Sequence, residues 1–509
     1  MDKQGTATTN YVTRRSGNAE QAECTMSRVF LIRLLLSQLA VSTCLLSSHT
    51  LTAKDLTGFC NAIKQAGPED GVVSHIETKA QHCRVTTQVR PATLSRSAGS
   101  FIEVYTWLPA PDKWNGRFIA FGNGGYSDSI AQSAMTAFLN KGFAVGATNT
   151  GHRGDDLSFA SDVPERIDYW GRYAVHALSE TGKTLIEHVY GDAPQFSYFS
   201  GCSTGGHQAL ASVQYFPQDF DGVLAGAPGN NRVALNAAFL WLFQQFHDKQ
   251  TGEAVITKPD LALLSRTVAR QCGEESGPAK GVILRTESCK PDLTVLQCQN
   301  DLDTQCLSAD KLSRLQKIYQ GPVDPVTGEQ IYPGFPPGSE YTGGAGWAAY
   351  MADPKNPSQP ARADFWRLWA FDQAEWDPWT FDWHTDYQRA SNALSPRIDA
   401  TETDLSAFMQ QGGKLIIYHG LADPVVSSAD TARYFREAAA DTGASFNARY
   451  YEVPGMSHCA GGPFISEFDA FPALQQWVEH GTEPGVIHAP VNGKSKETFQ
   501  LAPAKTILK

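Results

Sequence analysis

Apolar and polar positions between residues 101 and 229 alternate between two kinds of segment. FIEVYTWLP, GRFIAFGNGG, FAVGATNTG, FSYFSG and DGVLAGAP are short apolar runs that predict strands. SIAQSAMTAFLNKG, a run around Tyr173–Tyr190, and TGGHQALASVQYFP have helical periodicity; Gly142 and Pro217 end the first and last of these. A β-α-β alternation of this kind predicts a mostly parallel sheet with helices on both faces.

The alternation stops near Gly229 and resumes with the strand-like GKLIIYHG at residues 413–420, a helix, and the strand-like ARYYEVPG. We therefore predict an α/β core formed by residues 54–230 and 398–509, split by an inserted lid domain at 231–397. The insertion holds clustered aromatic residues, which either stack on a bound ring or form its own core: Trp347, Tyr350, Trp366, Trp369, Trp376, Trp379 and Trp383.

Residues 1–53 do not resemble a folded segment. Met26 opens a stretch with Arg28 and Arg33, an apolar run from about Val29 to Leu46, and small residues up to Ala53. This is the pattern of a signal peptide, with Met26 a candidate start, and it predicts a secreted or periplasmic protein. A membrane anchor is the alternative, but Arg33 interrupts the run, which is short for a span. No membrane association is expected once the signal is removed.

The net charge and the cysteine content exclude some classes of function and of site. The formal net charge of −11 argues against nucleic-acid binding, which needs a basic surface. Without the leader eight cysteines remain, and an even number in an exported chain indicates disulfides rather than a zinc site, since no C-x-x-C occurs. Proximity along the chain favours three local pairs and leaves one distant pair: Cys60–Cys83, Cys272–Cys289, Cys298–Cys306, and Cys202–Cys459.

Gly201-Cys202-Ser203-Thr204-Gly205 has the pattern G-x-S-x-G between a predicted strand and a predicted helix. A sharp turn there lifts the serine above the sheet and requires small neighbours. It also places the Thr204 amide at a helix N-terminus, where the peptide dipoles favour an oxyanion. A chance match is the alternative, although the flanking strand and helix make it less frequent. The motif predicts Ser203 as a nucleophile.

Two further polar residues follow core strands. Asp423 comes directly after KLIIYHG, and His458 follows ARYYEVPG. Taken alone, Asp423 reads as a helix cap and His458 as a structural histidine. The order Ser, Asp, His is, however, the order of an α/β-hydrolase. We therefore predict His458 as general base and Asp423 as the acid that orients it.

The distant cysteine pair gives this triad a geometric basis. Cys202 precedes Ser203 and Cys459 follows His458. If the two sulfurs are joined, their Cα atoms lie about 5.5–6 Å apart, which brings Ser203 and His458 together. Gly124 or Gly125, in the loop FGNGGY, is predicted to supply a second oxyanion amide beside Thr204. An ordinary glycine-rich turn is the alternative for that loop.

GNGGYSD, TNTGH, GCSTGGHQAL, FDGVLAGAP, HGLADPVV and PGMSHCAGGP together resemble the tannase and feruloyl esterase family, over about Cys60 to Trp477. The resemblance implies an α/β-hydrolase core with a large lid, and small esters of aromatic acids as substrates. It also implies the disulfide between the cysteines beside the nucleophile and the histidine, and it supports the local pairs.

The chain departs from this family in one respect. The family's lid carries a calcium loop, C-D-x-x-D-G-V-x-D-G-x-I, and residues 272–283 match it with Gly273, Ser276 and Lys280 at the Asp positions. Calcium needs several anionic oxygens, which a lysine ammonium would repel. We predict that the protein has no metal or other cofactor and that Lys280 replaces the ion by pairing with local carboxylates. Glu274 and Glu275 remain as alternative, offset ligands.

The expected function is a secreted serine esterase that forms an acyl-enzyme. Two alternatives stay open. One is a secreted serine hydrolase that acts on peptides or aliphatic polyesters. The other is an inactive protein that binds plant phenolics or polysaccharide, although binding alone does not require Ser, Asp and His in this order.

Overall fold

A nine-stranded sheet lies at the centre of the computed structural model, which describes residues 53–91, 100–300, 305–492 and 497–505. The strand order is β1-β2-β3-β5-β4-β6-β7-β8-β9. Neighbours from β5 to β9 run parallel, and the pairs up to β3–β5 run antiparallel. The strands are β1 (Gly71–Thr78), β2 (His82–Val89), β3 (Ile102–Pro109), β4 (Arg117–Phe121), β5 (Ala144–Thr148), β6 (Phe196–Cys202), β7 (Gly222–Gly226), β8 (Lys414–Gly420) and β9 (Ala448–Val453). The predicted mostly parallel sheet is confirmed.

Helices cover both faces of this sheet, because its strands are apolar on both sides. In β4, for example, Phe118 and Ala120 join one buried cluster, and Ile119 and Phe121 join another. This arrangement is typical of parallel strands between two helical layers. The helices are α1 (Ala53–Ala62), α2 (Gln132–Leu139), α3 (Arg166–Asp168), α4 (Ala174–Tyr190), α5 (Thr204–Tyr215), α6 (Arg232–Phe246), α7 (Lys258–Cys272), α8 (Ala309–Gln320), α9 (Thr385–Ile398), α10 (Ser406–Gln410), α11 (Ser428–Thr442) and α12 (Phe471–His480).

Strands β1 and β2 at one edge of the sheet, and the contact that covers β9 at the other edge, were not predicted from the sequence. At one edge, β1 pairs with β2 through a register shift between Val73 and His75. At the other edge, the amide of Ala504 donates to the carbonyl of Tyr450 in β9 at 2.7 Å. A separate hairpin of β10 (Ile487–Pro490) and β11 (Thr498–Leu501) lies near the C-terminus. Neither edge of the sheet is therefore a regular strand with all of its outward backbone groups unpaired.

The predicted insertion at 231–397 contributes no strand to the main sheet in the part of the chain that the structure describes. Its first helix, α6, is buried on nearly all sides. Trp347 and Trp366 are fully buried, and Trp369 and Trp376 pack within the same aromatic clusters. These four tryptophans thus form core, which was one of the two interpretations that the sequence left open.

The predicted signal peptide falls almost wholly on residues 1–52, which lie outside the described residues. Among the helices that are described, none is long and apolar enough to span a bilayer. The described residues from Ala53 onward belong to a single compact unit, so the insertion and the core are one body.

Candidate active site

Ser203 sits at the turn between β6 and α5 in a backbone conformation that an L-residue rarely adopts, with φ 63° and ψ −117°. Backbone hydrogen bonds to the end of β7 and the loop after it hold it there. The Ser203 amide donates to Gly226 O at 3.0 Å, and the Gly229 amide donates to Ser203 O at 3.3 Å. Strain of this kind persists only where the surroundings fix it. The loop after β7 provides that support, and the predicted strand-turn-helix context of Ser203 is present.

The small residues around Ser203 are required by close packing. A Cβ on Gly206 would overlap Gly226 O, and a Cβ on Gly122 would lie 2.6 Å from Gly205 Cα. The second contact brings the FGNGGY loop directly against the N-terminal turn of α5. The glycine loop and the serine turn are therefore neighbours, as an oxyanion site shared between them requires.

Asp423 is fully buried in the loop after β8 and accepts four hydrogen bonds. Its Oδ1 accepts from the amides of Val425 and Val426 at 2.8 and 3.0 Å. Its Oδ2 lies 2.7 Å from His458 Nδ1 and 3.1 Å from His419 Nε2. Burial alone would raise the pKa of Asp423, but His458 and His419 outweigh it and hold the pKa well below the usual range. Asp423 is therefore an anion.

An ionised Asp423 fixes the proton arrangement on His458. A carboxylate only accepts, so the Nδ1 of His458 must carry the proton of the 2.7 Å bond. The Nε2 of a neutral ring is then an acceptor. This is the tautomer that a general base for a serine hydroxyl requires. His458 is partly exposed, with 20% of its side chain accessible, so it is open to a reactant.

His419 was missed from the sequence, although it lies in the same HGLAD segment as Asp423. The ring is fully buried. Its Nε2 lies 3.0 Å from Val426 O, which can only accept, so Nε2 carries a proton and donates to Asp423 as well. Thr431 Oγ1 lies 2.8 Å from the other ring nitrogen, Nδ1. Two histidines thus hold the same carboxylate oxygen.

A disulfide between Cys202 and Cys459 links the serine turn to the histidine loop, with Cα atoms 5.9 Å apart. The predicted pair is confirmed. The residues that follow and precede these cysteines, Ser203 and His458, are thereby held in adjacent loops. Across the described residues, no hydrogen bond joins the Ser203 hydroxyl to His458. Such bonds are often long without substrate and tighten in the reacting complex.

The other three predicted disulfides are also present. Their Cα separations are 5.6 Å for Cys60–Cys83, 5.5 Å for Cys272–Cys289 and 4.8 Å for Cys298–Cys306. The first ties α1 to β2, and the other two close short loops of the insertion. They join segments that are already close along the chain, so only the fourth disulfide joins distant parts of the core.

The candidate oxyanion donors have free amides. Thr204 is the first residue of α5, and within the described residues its N–H has no hydrogen-bond partner; the same holds for Gly124 and Gly125. The neighbouring Asn123 amide is occupied, since it donates to Gln208 Oε1 at 3.0 Å. His152 also holds the FGNGGY loop in place, since its Nε2 lies 2.7 Å from Tyr126 O. This contact explains the histidine of the TNTGH segment as structural.

Residues 272–283 do not fit calcium. Only Glu274 and Glu275 supply carboxylates, and both side chains are exposed. Two backbone bonds close the loop instead, from the Glu274 amide to Val282 O at 3.0 Å and from the Gly281 amide to Glu274 O at 2.9 Å. The predicted pairing of Lys280 with local carboxylates is not formed: Lys280 is exposed, and no carboxylate in the described chain lies within 4.0 Å of its ammonium. The described residues contain no cluster of His, Cys, Asp and Glu that could hold a metal.

Comparison with known proteins identifies the family of the chain. The sequence model of the tannase and feruloyl esterase family matches residues 83–506. The chain belongs to this family. An uncharacterised esterase of Xanthomonas campestris pv. campestris is 33% identical over 82% of this chain and 79% of the relative. Feruloyl esterase C of Talaromyces stipitatus is 30% identical over 80% of this chain and 78% of its own.

The structural comparison agrees with the family assignment. The crystal structure of feruloyl esterase B from Aspergillus oryzae superposes with a TM-score of 0.77 at 26% identity, over 88% of this chain and 95% of that one. The predicted α/β-hydrolase fold is confirmed, and the tannase and feruloyl esterase family member described here is a carboxylic ester hydrolase.

Removing the long disulfide tests whether it aligns the site. We expect a Cys202→Ala/Cys459→Ala variant to lose about 100-fold in kcat, because small displacements of reacting groups carry costs of this order. Esterase assays below the thermal midpoint of each variant measure this. A Cys298→Ala/Cys306→Ala variant is the matched control and should keep its kcat. Unchanged kcat in the first variant would show that the link is not needed for alignment.

Proposed function

We propose that this esterase acts through Ser203 as nucleophile, His458 as general base and Asp423 as the orienting acid. The observation that carries the proposal is the 2.7 Å contact between His458 Nδ1 and the buried anion Asp423, next to a disulfide that ties the histidine loop to the serine turn. These roles match the chain order and tautomer that a serine hydrolase needs.

The proposed reaction is a two-step acyl transfer. His458 Nε2 takes the Ser203 proton while Oγ attacks the ester carbonyl, and the amides of Thr204 and Gly124 or Gly125 bind the resulting oxyanion. The tetrahedral intermediate collapses, the C–O bond to the alcohol breaks, and His458 returns its proton to the leaving alcohol. Water, deprotonated by His458, then attacks the acyl-enzyme; the bond between the acyl carbon and Ser203 Oγ breaks, His458 returns the proton to Oγ, and the acid is released. Asp423 stabilises the imidazolium in both steps.

We also propose that the insertion at 231–397 acts as a lid over this site. Arg362 reaches the glycine loop: a Cβ on Gly125 would lie 3.1 Å from its Nη2. A cavity of about 390 Å³ lies beside that contact, with Leu157, Tyr350 and Arg362 among its walls. On the Asp423 side, Ser427 Oγ donates to Gly334 O at 2.8 Å. The insertion therefore contacts the loops on both sides of the proposed triad.

Esters of aromatic acids are the proposed substrates. The names of the relatives support this, since feruloyl esterases from Talaromyces stipitatus and Aspergillus oryzae are similar over most of the chain. We propose Tyr350, in the wall of the cavity, as a contact for the substrate ring. The buried tryptophans of the insertion are occupied in packing and are not proposed as ligands.

We propose that the protein is exported before it folds. The leader pattern before Ala53 and the four disulfides support this, because disulfides persist in oxidising compartments. Mass spectrometry of the N-terminus of the exported chain would identify the cleavage site; an intact Met1 or Met26 terminus would contradict export through a signal peptide.

Replacing the proposed nucleophile should abolish turnover without unfolding the chain. We expect Ser203→Ala to lower kcat by about 10,000-fold or more. Its thermal midpoint should stay close to that of the wild type, since Ser203 makes its described hydrogen bonds through the backbone. Steady-state hydrolysis, with labelling by a fluorophosphonate and peptide mapping, measures the effect.

Ser200→Ala is the matched control for this test, because it removes a hydroxyl from the same strand and should leave both rate and labelling unchanged. Full activity in Ser203→Ala would overturn the nucleophile assignment. A wild-type chain that binds phenolics but takes up no label would instead support the inactive binding protein.

A substrate panel tests the proposed ester class. We expect kcat/KM on methyl ferulate or methyl gallate to exceed that on methyl hexanoate by about tenfold or more, since differences in fit to an apolar pocket are worth this much. p-Nitrophenyl acetate reports active enzyme, and peptides should not be cleaved. Faster hydrolysis of methyl hexanoate or of a polyester, or peptide cleavage, would favour the other hydrolase.

We propose that this esterase works without calcium. Calorimetric titration of calcium chloride into the EDTA-treated protein should show no tight binding, and EDTA should not lower the thermal midpoint, because a bound ion would raise it. A Ser276→Asp/Lys280→Asp variant restores two of the three acidic positions of the family and should gain calcium binding; Gly273 is left unchanged because a Cβ there would overlap Ala269 O. Tight binding by the unaltered chain would contradict the proposal.

A further inference from the structure

Arg232 is a buried cation beside the nucleophile turn. It is the first residue of α6, its accessible fraction is 4%, and its Nη2 donates to Thr204 Oγ1 at 3.1 Å. Thr204 directly follows Ser203. Within the described ranges, no carboxylate oxygen lies within 4.0 Å of the guanidinium. Arginine keeps its charge in proteins, so a positive charge is held here without an ion-pair partner.

Burying such a charge is costly unless something compensates for it. Two aromatic faces supply part of the compensation: the guanidinium carbon lies 5.1 Å from the centre of the Trp170 ring and 5.9 Å from that of Tyr126. The carboxylate of Asp399 also stabilises the Arg232 charge electrostatically, from a longer distance. Its Oδ1 is already engaged by the Val233 amide at 3.0 Å. The free enzyme therefore maintains a positive charge that its own side chains only partly balance.

This charge contacts the residue whose amide is proposed to bind an anion that forms only during the reaction. Thr204 is the first residue of α5, where the helix dipole is positive and where the proposed oxyanion would be bound. The guanidinium bonds to the side chain of that same residue. A neutral donor would satisfy Thr204 Oγ1 equally well, so the hydrogen bond does not explain why a cation is buried here.

We infer that Arg232 is a positioning residue that acts through Thr204: it orients the first turn of α5 and adds fixed positive potential at the oxyanion site. This inference rests on the proposed function. Arg232 should then stabilise the transition state more than the bound substrate, because only the transition state carries negative charge at the oxyanion site.

Kinetics of Arg232→Met and Arg232→Lys test the inference. We expect Arg232→Met to lower kcat by about 10- to 100-fold with KM changed by no more than about twofold, the signature of an interaction made in the transition state. Arg232→Lys keeps the charge and should recover most of the loss. If Arg232→Met does not fold, Arg232→Gln is compared with Arg232→Lys, which differ mainly in charge.

Inhibitor binding separates electrostatic from structural effects. Phenylboronic acid accepts Ser203 Oγ at boron and becomes a tetrahedral anion, whereas the amide of ferulic acid binds as a neutral ground-state analogue. Arg232→Met should weaken the boronic acid by about the same factor as kcat and leave the amide unchanged. Equal weakening of both, or a kcat within about twofold of the wild type, would overturn the inference.

Arg172→Met is the matched control. Arg172 also stacks on an aromatic ring, with its guanidinium carbon 4.0 Å from the centre of Tyr215, but it does not contact Thr204. This variant should leave kcat and both inhibitors unchanged. Fluorophosphonate labelling of the wild type at Ser203 distinguishes failure of the proposed function from failure of the role proposed for Arg232. No labelling would overturn the proposed function itself, whereas normal labelling with an unaffected Arg232→Met overturns only the role of Arg232.

Discussion

The site depends on one constraint: the loop that carries His458 must reach across the top of the sheet to Ser203. β6 carries Ser203 at its end, and the segment after β9 carries His458, with β7 and β8 between them. Adjacent strands lie about 4.8 Å apart, so the two strand ends are roughly 14 Å from each other. The loop after β9 must return over two strands to reach the serine. The disulfide between Cys202 and Cys459 holds it there, and Asp423, at the end of β8, lies beneath its path.

The segments on both sides of the Cys202–Cys459 disulfide are rigid, and this fixes the relative positions of Ser203, His458 and Asp423. The unusual backbone of Ser203 is fixed by Gly226 and Gly229, and the glycine loop packs against the same turn. Asp423 is surrounded by two amides and two histidines, which leave its carboxylate little freedom. A buried anion is expensive, and these four donors compensate for its loss of water. The insertion adds contacts to both loops, so the core and the insertion jointly define the surroundings of the site.

The sequence predicted those features that depend on local pattern. Strand and helix periods located β3 to β9 and the principal core helices, and the cysteine positions predicted four correct pairs. The order β3-β5-β4 could not be predicted, because the choice of strand partner is decided by tertiary packing. In β2 the alternation HCRVTTQV is visible in the sequence and matches its burial pattern, yet β1 beside it is irregular and largely exposed.

The surroundings of individual polar residues were the hardest feature to predict. His419 depends on Thr431, twelve positions later, and on the path of the loop to Val426. A charged residue at the start of a helix, such as Arg232, is ordinarily exposed, and nothing in its local sequence marks it as buried. For Lys280, the expectation of an ion pair was wrong because backbone hydrogen bonds already close the loop. Tertiary contacts determine the burial of Arg232, and the path of a single loop determines the partners of His419 and Lys280; apolar and polar patterns encode neither.

The modified sheet edges also bear on how the protein behaves at high concentration. A bare edge strand offers unpaired amides and carbonyls to a second molecule and so invites intermolecular pairing. Here the register shift between Val73 and His75 disturbs β1, and the Ala504 amide already occupies a carbonyl of β9. Edges of this kind are poor templates for aggregation, which favours a chain that stays dispersed at high concentration.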